Sequence, residues 1–396
     1  MKLAVVTPRY GRDVMGGAET AARQLSVRLA ARADWDVEVL TTVALDAATW
    51  APALDPGEEV DGGVRVRRFP VRGTRHPDFD RMTQHALRHP QLLTPEEQLR
   101  WLEAQGPVAP ELVDAVAATD ADVVAFHPYL YHPTVAGVPY VASRAVLHPA
   151  AHDEAPIRLP IFRELFERAA GFVFWSDAER RFVQRRFPIA SRRQLVLGLG
   201  VEPMPGDAGA ARAAAWLDDR PYLLCLGRVD DGKGARVLYE CFAAYKERRP
   251  GPLALVFAGP VVHHPPGHPD VIVTGPVEEP VKWGLLRGAH ALVSPSAYES
   301  FSIVLLEAWS VGTAALVNGR CDVTREHAER SGGALAFSSY AELEVSLDRL
   351  LASEALRAEL GARGARYVHS HYRWPDLVER YASFLSAVAR QESLAG

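Results

Sequence analysis

Cysteine is scarce in this sequence. Cys225, Cys241 and Cys321 are the three in 396 residues, and no two form a CxxC pair. That excludes a disulfide framework and a cysteine-rich zinc site, and the three read as small buried hydrophobes in a reducing compartment. No apolar run reaches the ~18 residues that a membrane-spanning helix needs. The first residues, Met1 to Pro8, turn polar too soon for a signal peptide and read as a strand, so a cytoplasmic protein is expected. Excess positive charge is missing too: the net charge is −5, which argues against bulk nucleic-acid binding. The G-x-G-x-x-G fingerprint of dinucleotide enzymes is absent, which disfavours an NAD-dependent dehydrogenase.

What is present suits a large α/β protein. The length suggests two or three domains, and 48% hydrophobic residues allow sizeable cores. Strand Lys2–Thr7, a loop to Gly17, a helix over Ala18–Ala33 and strand Asp36–Thr41 make a βαβ unit. Gly16 and Gly17 stand at the loop-to-helix junction, where backbone can approach a diphosphate closely. Further strands are expected at Val64–Val71, Val123–Phe126, Val141–Leu147, Phe172–Ser176 and Leu195–Val201. Residues 73–110 read as a basic, proline-containing helical insertion, with a helix start at Pro95. Asp177 to Phe187 is basic and amphipathic; it is either a solvated helix face or a weak contact for an anionic membrane.

Three loops of this half carry candidate chemistry. Asp120-Ala121-Asp122 has the spacing of a D-x-D metal motif but precedes its strand. Ligands of open α/β sheets bind beyond the carboxyl ends, so it is set aside. The carboxyl end of that strand gives His127, Tyr129 and Tyr131, which either line a ligand cleft or form an aromatic packing turn. Beyond Leu147, His148, His152, Asp153 and Glu154 crowd one loop at the ligand-binding edge, without the spacing of a zinc site.

Pro203 to Asp219, rich in Pro, Gly, Ala and Asp, reads as an interdomain linker. A second βα series starts at Tyr222–Gly227. Arg228 and Lys233 follow, two cations converging near a helix N-terminus, where Arg can fork to phosphate oxygens and Lys adds a point charge. After strands Leu253–Ala258 and Val271–Thr274 comes Ala289–Val293, which runs into Ser294-Pro295-Ser296-Ala297-Tyr298-Glu299-Ser300-Phe301-Ser302-Ile303. A helix is expected to open at Ser300 as N-cap, with Glu307 two turns inside it. A helix N-terminus seats phosphate, and carboxylates at Glu299 and Glu307 can accept hydrogen bonds from two parts of one elongated ligand. Strand Ala314–Asn318 follows, and Tyr367–Leu385 reads as a helical tail with aromatics around Tyr372 and Trp374.

Pro-Ser-x-x-Glu-x-Phe followed by Glu-Ala resembles the E-x7-E signature of the retaining nucleotide-sugar glycosyltransferases of GT-B fold, family 4 or glycosyl transferases group 1. The resemblance spans almost the whole chain. It implies two Rossmann-like domains facing each other across a cleft: 1–202 for the acceptor, completed by a C-terminal helix over 376–396, and 203–375 for the donor. Gly16-Gly17 is similar to the family's Gly-Gly element, and Arg228 with Lys233 to its diphosphate clamp. Glu307 is then expected on the donor ribose and Glu299 on a hexose hydroxyl, with Ser300, Phe301, Ser302 and Ile303 beside them. Val277 falls in the loop that meets the nucleotide base. His152, with His148 as rival, is expected at the reacting centre, and His127, Tyr129 and Tyr131 on the acceptor. Two departures stand out: Thr313-Ala314 replaces a usual Pro, and Ser302 stands where Gly is common.

The expected activity is hexosyl transfer with retention from a nucleotide-diphosphate sugar, UDP- or GDP-linked, to a hydroxyl of a natural product, glycan or lipid precursor. No cofactor and no metal are expected, and no nucleic-acid partner. The alternatives are a GT-B epimerase or phosphorylase and a catalytically idle sugar-nucleotide-binding protein.

Overall fold

A computed structural model describes residues 1–14 and 16–390. The last residues of the tail expected over 376–396, from 391 on, lie outside the described residues. The chain divides into two compact units, one formed by Met1–Gly198 with the segment from Pro375, the other by Leu199–Trp374.

Unit 1 runs β1 (Lys2–Val6), α1 (Gly17–Ala30), β2 (Asp36–Thr42), β3 (Gly57–Asp61), β4 (Val64–Phe69), α2 (Phe79–Arg88), α3 (Pro95–Gln105) and α4 (Pro110–Ala118). It continues through β5 (Val123–Phe126), α5 (His132–Gly137), β6 (Ala145–Leu147), α6 (Pro160–Arg168), β7 (Gly171–Phe174), α7 (Asp177–Arg186) and β8 (Arg193–Val196). Unit 2 opens with α8 (Ala208–Ala214), β9 (Tyr222–Leu226), α9 (Ala235–Arg248), β10 (Ala254–Ala258), β11 (Val271–Gly275), α10 (Glu279–Gly288) and β12 (Ala291–Ser294). Then come α11 (Ile303–Ser310), β13 (Ala315–Asn318), α12 (Asp322–Ser331), β14 (Ala334–Phe337), α13 (Tyr340–Ala352) and α14 (Glu354–His371). The final helix α15 (Trp374–Ala389) belongs to unit 1 from Pro375 onward.

Each unit is a Rossmann-like parallel sheet. The orders are β3-β4-β2-β1-β5-β6-β7-β8 and β11-β10-β9-β12-β13-β14. Inner strands such as β5 (VVAF) and β10 (ALVFA) are buried at every position. Helices cover both faces of a parallel sheet, so its strands read as continuous apolar runs rather than as alternations. In both sheets the strand order reverses beside the first long strand, at β1 between β2 and β5 and at β9 between β10 and β12. Loops leaving the carboxyl ends at such a point form a crevice, the usual ligand seat of this architecture.

The structure corrects several sequence expectations. Residues 203–219 are not a bare linker: α8 forms there and packs on α10 within unit 2. An Asp207 side chain caps α8, accepting from the Ala210 N–H at 2.7 Å, and Gly284 lets the Asp207 backbone press directly on α10. The strand expected at Val141–Leu147 is confined to β6, because Val138–Arg144 turns as 3-10 helix with Pro139 in its first turn. The tail breaks at Tyr372–Arg373. Tyr372 leaves the helical path to join a buried cluster, its hydroxyl 3.0 Å from that of Tyr367, and Pro375 suits the first turn of α15. An antiparallel edge strand, β3, was not foreseen; its four exposed positions at Gly57–Val60 hide it from any burial pattern.

Candidate functional site

In unit 2 the loop after β9 and the loop after β12 leave neighbouring parallel strands and meet. Gly234 ends the first loop in the left-handed region, at φ 78°, and begins α9. A Cβ there would stand 2.8 Å from the Pro295 carbonyl oxygen, so only glycine permits this approach. The same carbonyl accepts from the Asn318 side chain at 3.0 Å, which ties the end of β13 to the junction.

This contact brings one expected cation, Lys233, to one expected carboxylate, Glu299. The Lys233 ammonium lies 2.8 Å from the Glu299 carboxylate, with the Glu299 side chain mostly buried and Lys233 partly exposed. Arg228 pairs with Asp230, whose other oxygen accepts the Lys233 backbone N–H at 2.7 Å. The Arg228 side chain is more than half exposed, while Asp230 is buried. The cations thus rest on carboxylates that hold them at the carboxyl edge of the sheet, yet neither is sealed from an incoming anion.

The helix of the E-x7-E stretch begins later than expected. Ser300 does not cap it. Helix α11 starts at Ile303, and the cap position belongs to Ser302 at φ 67°, ψ 64°, with no side-chain capping bond. A left-handed residue cannot continue a right-handed helix backward, so the backbone of Ser302 sets the start. Its buried hydroxyl has no hydrogen-bond partner among the described residues. Glycine is the residue that takes this conformation without strain, which explains physically why Ser302 stands out as a departure. Phe301 is buried and meets His327 and Tyr372 edge-on, each at 5.4 Å between ring centres. Its side chain anchors the loop; only its backbone is left to face a ligand.

Glu307 sits on α11, nearly buried, with its carboxylate 3.0 Å from the Lys282 ammonium of α10. Lys282 also reaches Glu279 at 2.8 Å and lies 5.1 Å from the centre of the Trp283 ring. Burial works against the Lys282 charge, but the Glu307 and Glu279 carboxylates outweigh it and hold its pKa above the ordinary lysine value. Val277 lies in the loop just before this helix and is partly buried. Sequence reasoning missed Lys282 and Asn318, whose roles come from pairing across elements that no local spacing announces, and it missed that Asp230 organises its own loop through Arg228 and the Lys233 N–H.

The expected unit 1 residues separate into core and loop. His148 is fully buried. Its Nε2 lies 3.0 Å from the Tyr381 hydroxyl of α15, and its ring stacks on His127 at 3.9 Å. Burial pushes both imidazoles down, His127 to about 3, so both are neutral packing groups. A ring with no exposed surface cannot touch a substrate, and His148 is withdrawn as a candidate. His127 and Tyr129 are withdrawn from an acceptor lining for the same reason. Tyr129 is 1% exposed, packs on Phe162 and donates to Glu154 at 2.8 Å. Tyr131 keeps partial exposure, edge-on to Trp50 at 5.1 Å. His152, partly exposed, stays on the loop beyond β6. Gly16 makes room for the Glu19 carboxylate, which pairs with Arg9 at the start of α1, so its lack of a side chain has a structural use of its own. Asp120 and Asp122 lie at the opposite, N-terminal edge of the sheet, tied to the Lys2 ammonium and to its N–H. Among the described residues no group of three His, Cys, Asp or Glu is arranged to hold a metal ion.

The chain resembles known proteins in sequence and in fold. Residues 210–367 match the family described as glycosyl transferases group 1. The chain is 26% identical over 62% of its length, and 70% of the relative's, to a GDP-mannose-dependent α-(1-6)-phosphatidylinositol monomannoside mannosyltransferase of Mycobacterium tuberculosis. It is 31% identical to the D-inositol 3-phosphate glycosyltransferase of Salinispora arenicola over 48% of each chain. Among solved structures it superposes on sucrose-phosphate synthase of Thermosynechococcus elongatus with a TM-score of 0.73 and 18% identity, covering 99% of this chain and all of that one. On Anabaena HepE the TM-score is 0.69 at 15% identity, covering 98% of this chain and all of that one. The paired lysines and glutamates therefore stand on the segment that matches glycosyl transferases group 1, in a chain of GT-B fold.

Proposed function

We propose that this glycosyltransferase moves a hexosyl group, with retention and without a metal, from a nucleotide-diphosphate sugar to a hydroxyl acceptor. The observation that carries the reading is the convergence of Arg228, Lys233 and Glu299 where the loops after β9 and β12 meet, with Glu307, paired to Lys282, on the helix that the second loop opens. Arg228 and Lys233 offer two positive charges to the diphosphate, about the charge that leaves with it. Glu307, fixed by Lys282, accepts from the ribose, and Glu299 accepts from a hexose hydroxyl. The backbone around Val277 meets the base.

In the transfer, the bond from the sugar anomeric carbon to the diphosphate oxygen breaks as the acceptor oxygen bonds to the same face. The acceptor proton goes to an oxygen of the leaving phosphate. Negative charge grows on the diphosphate, and fixed cations there stabilise it without reorganising. Tyr131 binds the acceptor, His152 stands at the reacting centre, and the Gly16-Gly17 amides at the start of α1 approach the donor diphosphate. The mycobacterial relative supports GDP-mannose as a donor to test first, and both bacterial relatives named above support an inositol-containing acceptor.

The test is a thermal-shift screen against UDP, GDP, ADP and dTDP sugars, followed by transfer with EDTA present. A bound donor raises apparent stability by mass action. One nucleotide should stabilise the protein, and its sugar should be transferred at an undiminished rate in EDTA, with the anomeric configuration kept. Inversion, or activity restored only by magnesium or manganese, contradicts the reading.

A further inference from the structure

From the loop that carries His152 we infer that Glu179 is a positioning residue for transfer: its buried carboxylate holds the backbone on which His152 is presented. This rests on the reading that His152 acts at the reacting centre.

Glu179 lies in the first turn of α7 and is 1% exposed. One carboxylate oxygen accepts from the Ala151 N–H at 2.8 Å, the other from the Trp175 N–H at 2.7 Å. Its own N–H is taken by the capping Ser176 hydroxyl at 3.1 Å. In an ordinary capping box the third-residue carboxylate reaches back to its own cap. Here it also reaches beyond the cap, from the end of β7 to the loop that leaves the neighbouring strand β6. Burial pushes the Glu179 carboxyl up to about 8, while the surrounding amides of Trp175, Ala151, Ser176 and Ala150 pull it the other way. No salt bridge to it is found among the described residues, so backbone N–H groups are what this carboxylate is built to collect.

The loop it holds needs holding. Ala150 has φ 52°, a left-handed conformation unfavourable for a residue with a Cβ. Ala151 is 1% exposed, and His152 follows immediately. On the far side, the Glu154 N–H donates to the His152 carbonyl at 2.7 Å, and the Glu154 side chain is fixed by the Tyr129 hydroxyl. The backbone of His152 is thus clamped on both sides, by Glu179 acting on the residue before it and by Glu154 two residues after. A packing role alone does not require both oxygens of a buried acid to face amide donors from two different strand ends.

The experiment compares Glu179→Gln, Ala150→Gly with Glu179→Gln, and His152→Ala in the full chain with a transferred sugar donor. A glutamine keeps the volume but offers one acceptor oxygen, and turns an NH2 group toward an N–H donor. Glu179→Gln should lower kcat by between about tenfold and a hundredfold, the cost of misplacing a reacting group, with nucleotide affinity unchanged. Adding Ala150→Gly, which relaxes the left-handed residue, should recover several-fold in kcat. Amide hydrogen exchange at Ala151 should accelerate in Glu179→Gln. Wild-type kcat in a folded Glu179→Gln variant with His152→Ala impaired overturns the proposal. If His152→Ala keeps full turnover, the reading of His152 fails, and the exchange rate at Ala151 then decides the tether: unchanged protection in Glu179→Gln overturns it, lost protection upholds it. Should Glu179→Gln not fold, Glu179→Asp is the second variant: full kcat with unaltered exchange at Ala151 overturns the proposal, and lowered kcat with faster exchange supports it.

Discussion

Lys233 and Glu299, 66 positions apart, meet at 2.8 Å because Gly234 lets its loop lie against the Pro295 carbonyl. Neither element has a reason of its own to bring a cation to a carboxylate. The sheet does it, by placing β9 beside β12 and sending both loops over the same edge. Filling the Gly234 space should separate the two motifs. Gly234→Ala strains both the left-handed φ and the contact, and donor affinity should fall at least tenfold while far-ultraviolet circular dichroism stays native, read by calorimetry and spectroscopy on one sample.

Glu307 and Lys282 should be separable by what they do. Glu307→Ala removes a charge-assisted acceptor and should weaken nucleotide binding by roughly 1.5–3 kcal/mol. Glu299→Ala should chiefly slow transfer. Lys282→Met leaves Glu307 nearly buried without its cation, so it should lower thermal stability as well as affinity, on the order of 2 kcal/mol for a pair that keeps some solvent contact. Melting curves of the three variants, with and without nucleotide, distinguish these outcomes.

Ser302 carries strain that glycine relieves. Ser302→Gly should stabilise unit 2 by about 1 kcal/mol, since the left-handed penalty exceeds the added freedom of the unfolded chain. The check is a denaturant midpoint. A lower midpoint than wild type contradicts the assignment of strain at this residue.

Acid should destabilise the protein before its surface carboxylates titrate. His127 is held near 3 and His327 near 4 by burial, and His148 well below its ordinary value by burial and by His127. A group whose folded pKa is depressed binds fewer protons folded than unfolded between the two values. Stability is therefore complete above about 6.5 and falls as pH drops through the window toward 3 or 4, by up to about 1.4 kcal/mol per pH unit for each group. His127→Phe should flatten this slope between pH 6.5 and 4, measured by urea unfolding at a series of pH values.

Much of this was legible in the sequence, and the rest failed for physical reasons. The β strands of the two sheet interiors read correctly because parallel strands buried on both faces are continuous apolar runs. Pro95 marked the start of α3, where Thr94 and Glu97 complete a capping box. The start of α11 was misplaced because Ser302 adopts a conformation that serine rarely takes, and a sequence pattern weighs Ser300 by its capping preference alone. Residues 203–219 looked like a linker because an alanine-rich helix with nearby glycines differs little from flexible chain until Gly284 shows what it packs on. His127 and His148 looked functional because they end strands at the ligand-bearing edge. Their stacking on each other and the bond to Tyr381 depend on α15, more than two hundred residues later. Lys282 had no signal, since it works through Glu307 on another helix; Ser176 to Glu179 has capping-box spacing, but nothing local announces the reach of Glu179 to the Ala151 N–H.

The central claim is that fixed cations, not a metal, hold the donor diphosphate. Calorimetric titration of the nucleotide diphosphate in excess EDTA, for the wild-type protein and for the double variant Arg228→Ala with Lys233→Ala, tests it most directly. The account predicts binding in EDTA for the wild type and a loss of at least tenfold, on the order of 1.4 kcal/mol or more, in the double variant. Wild-type binding that vanishes in EDTA and returns with magnesium or manganese, or a double variant with undiminished affinity, would contradict it.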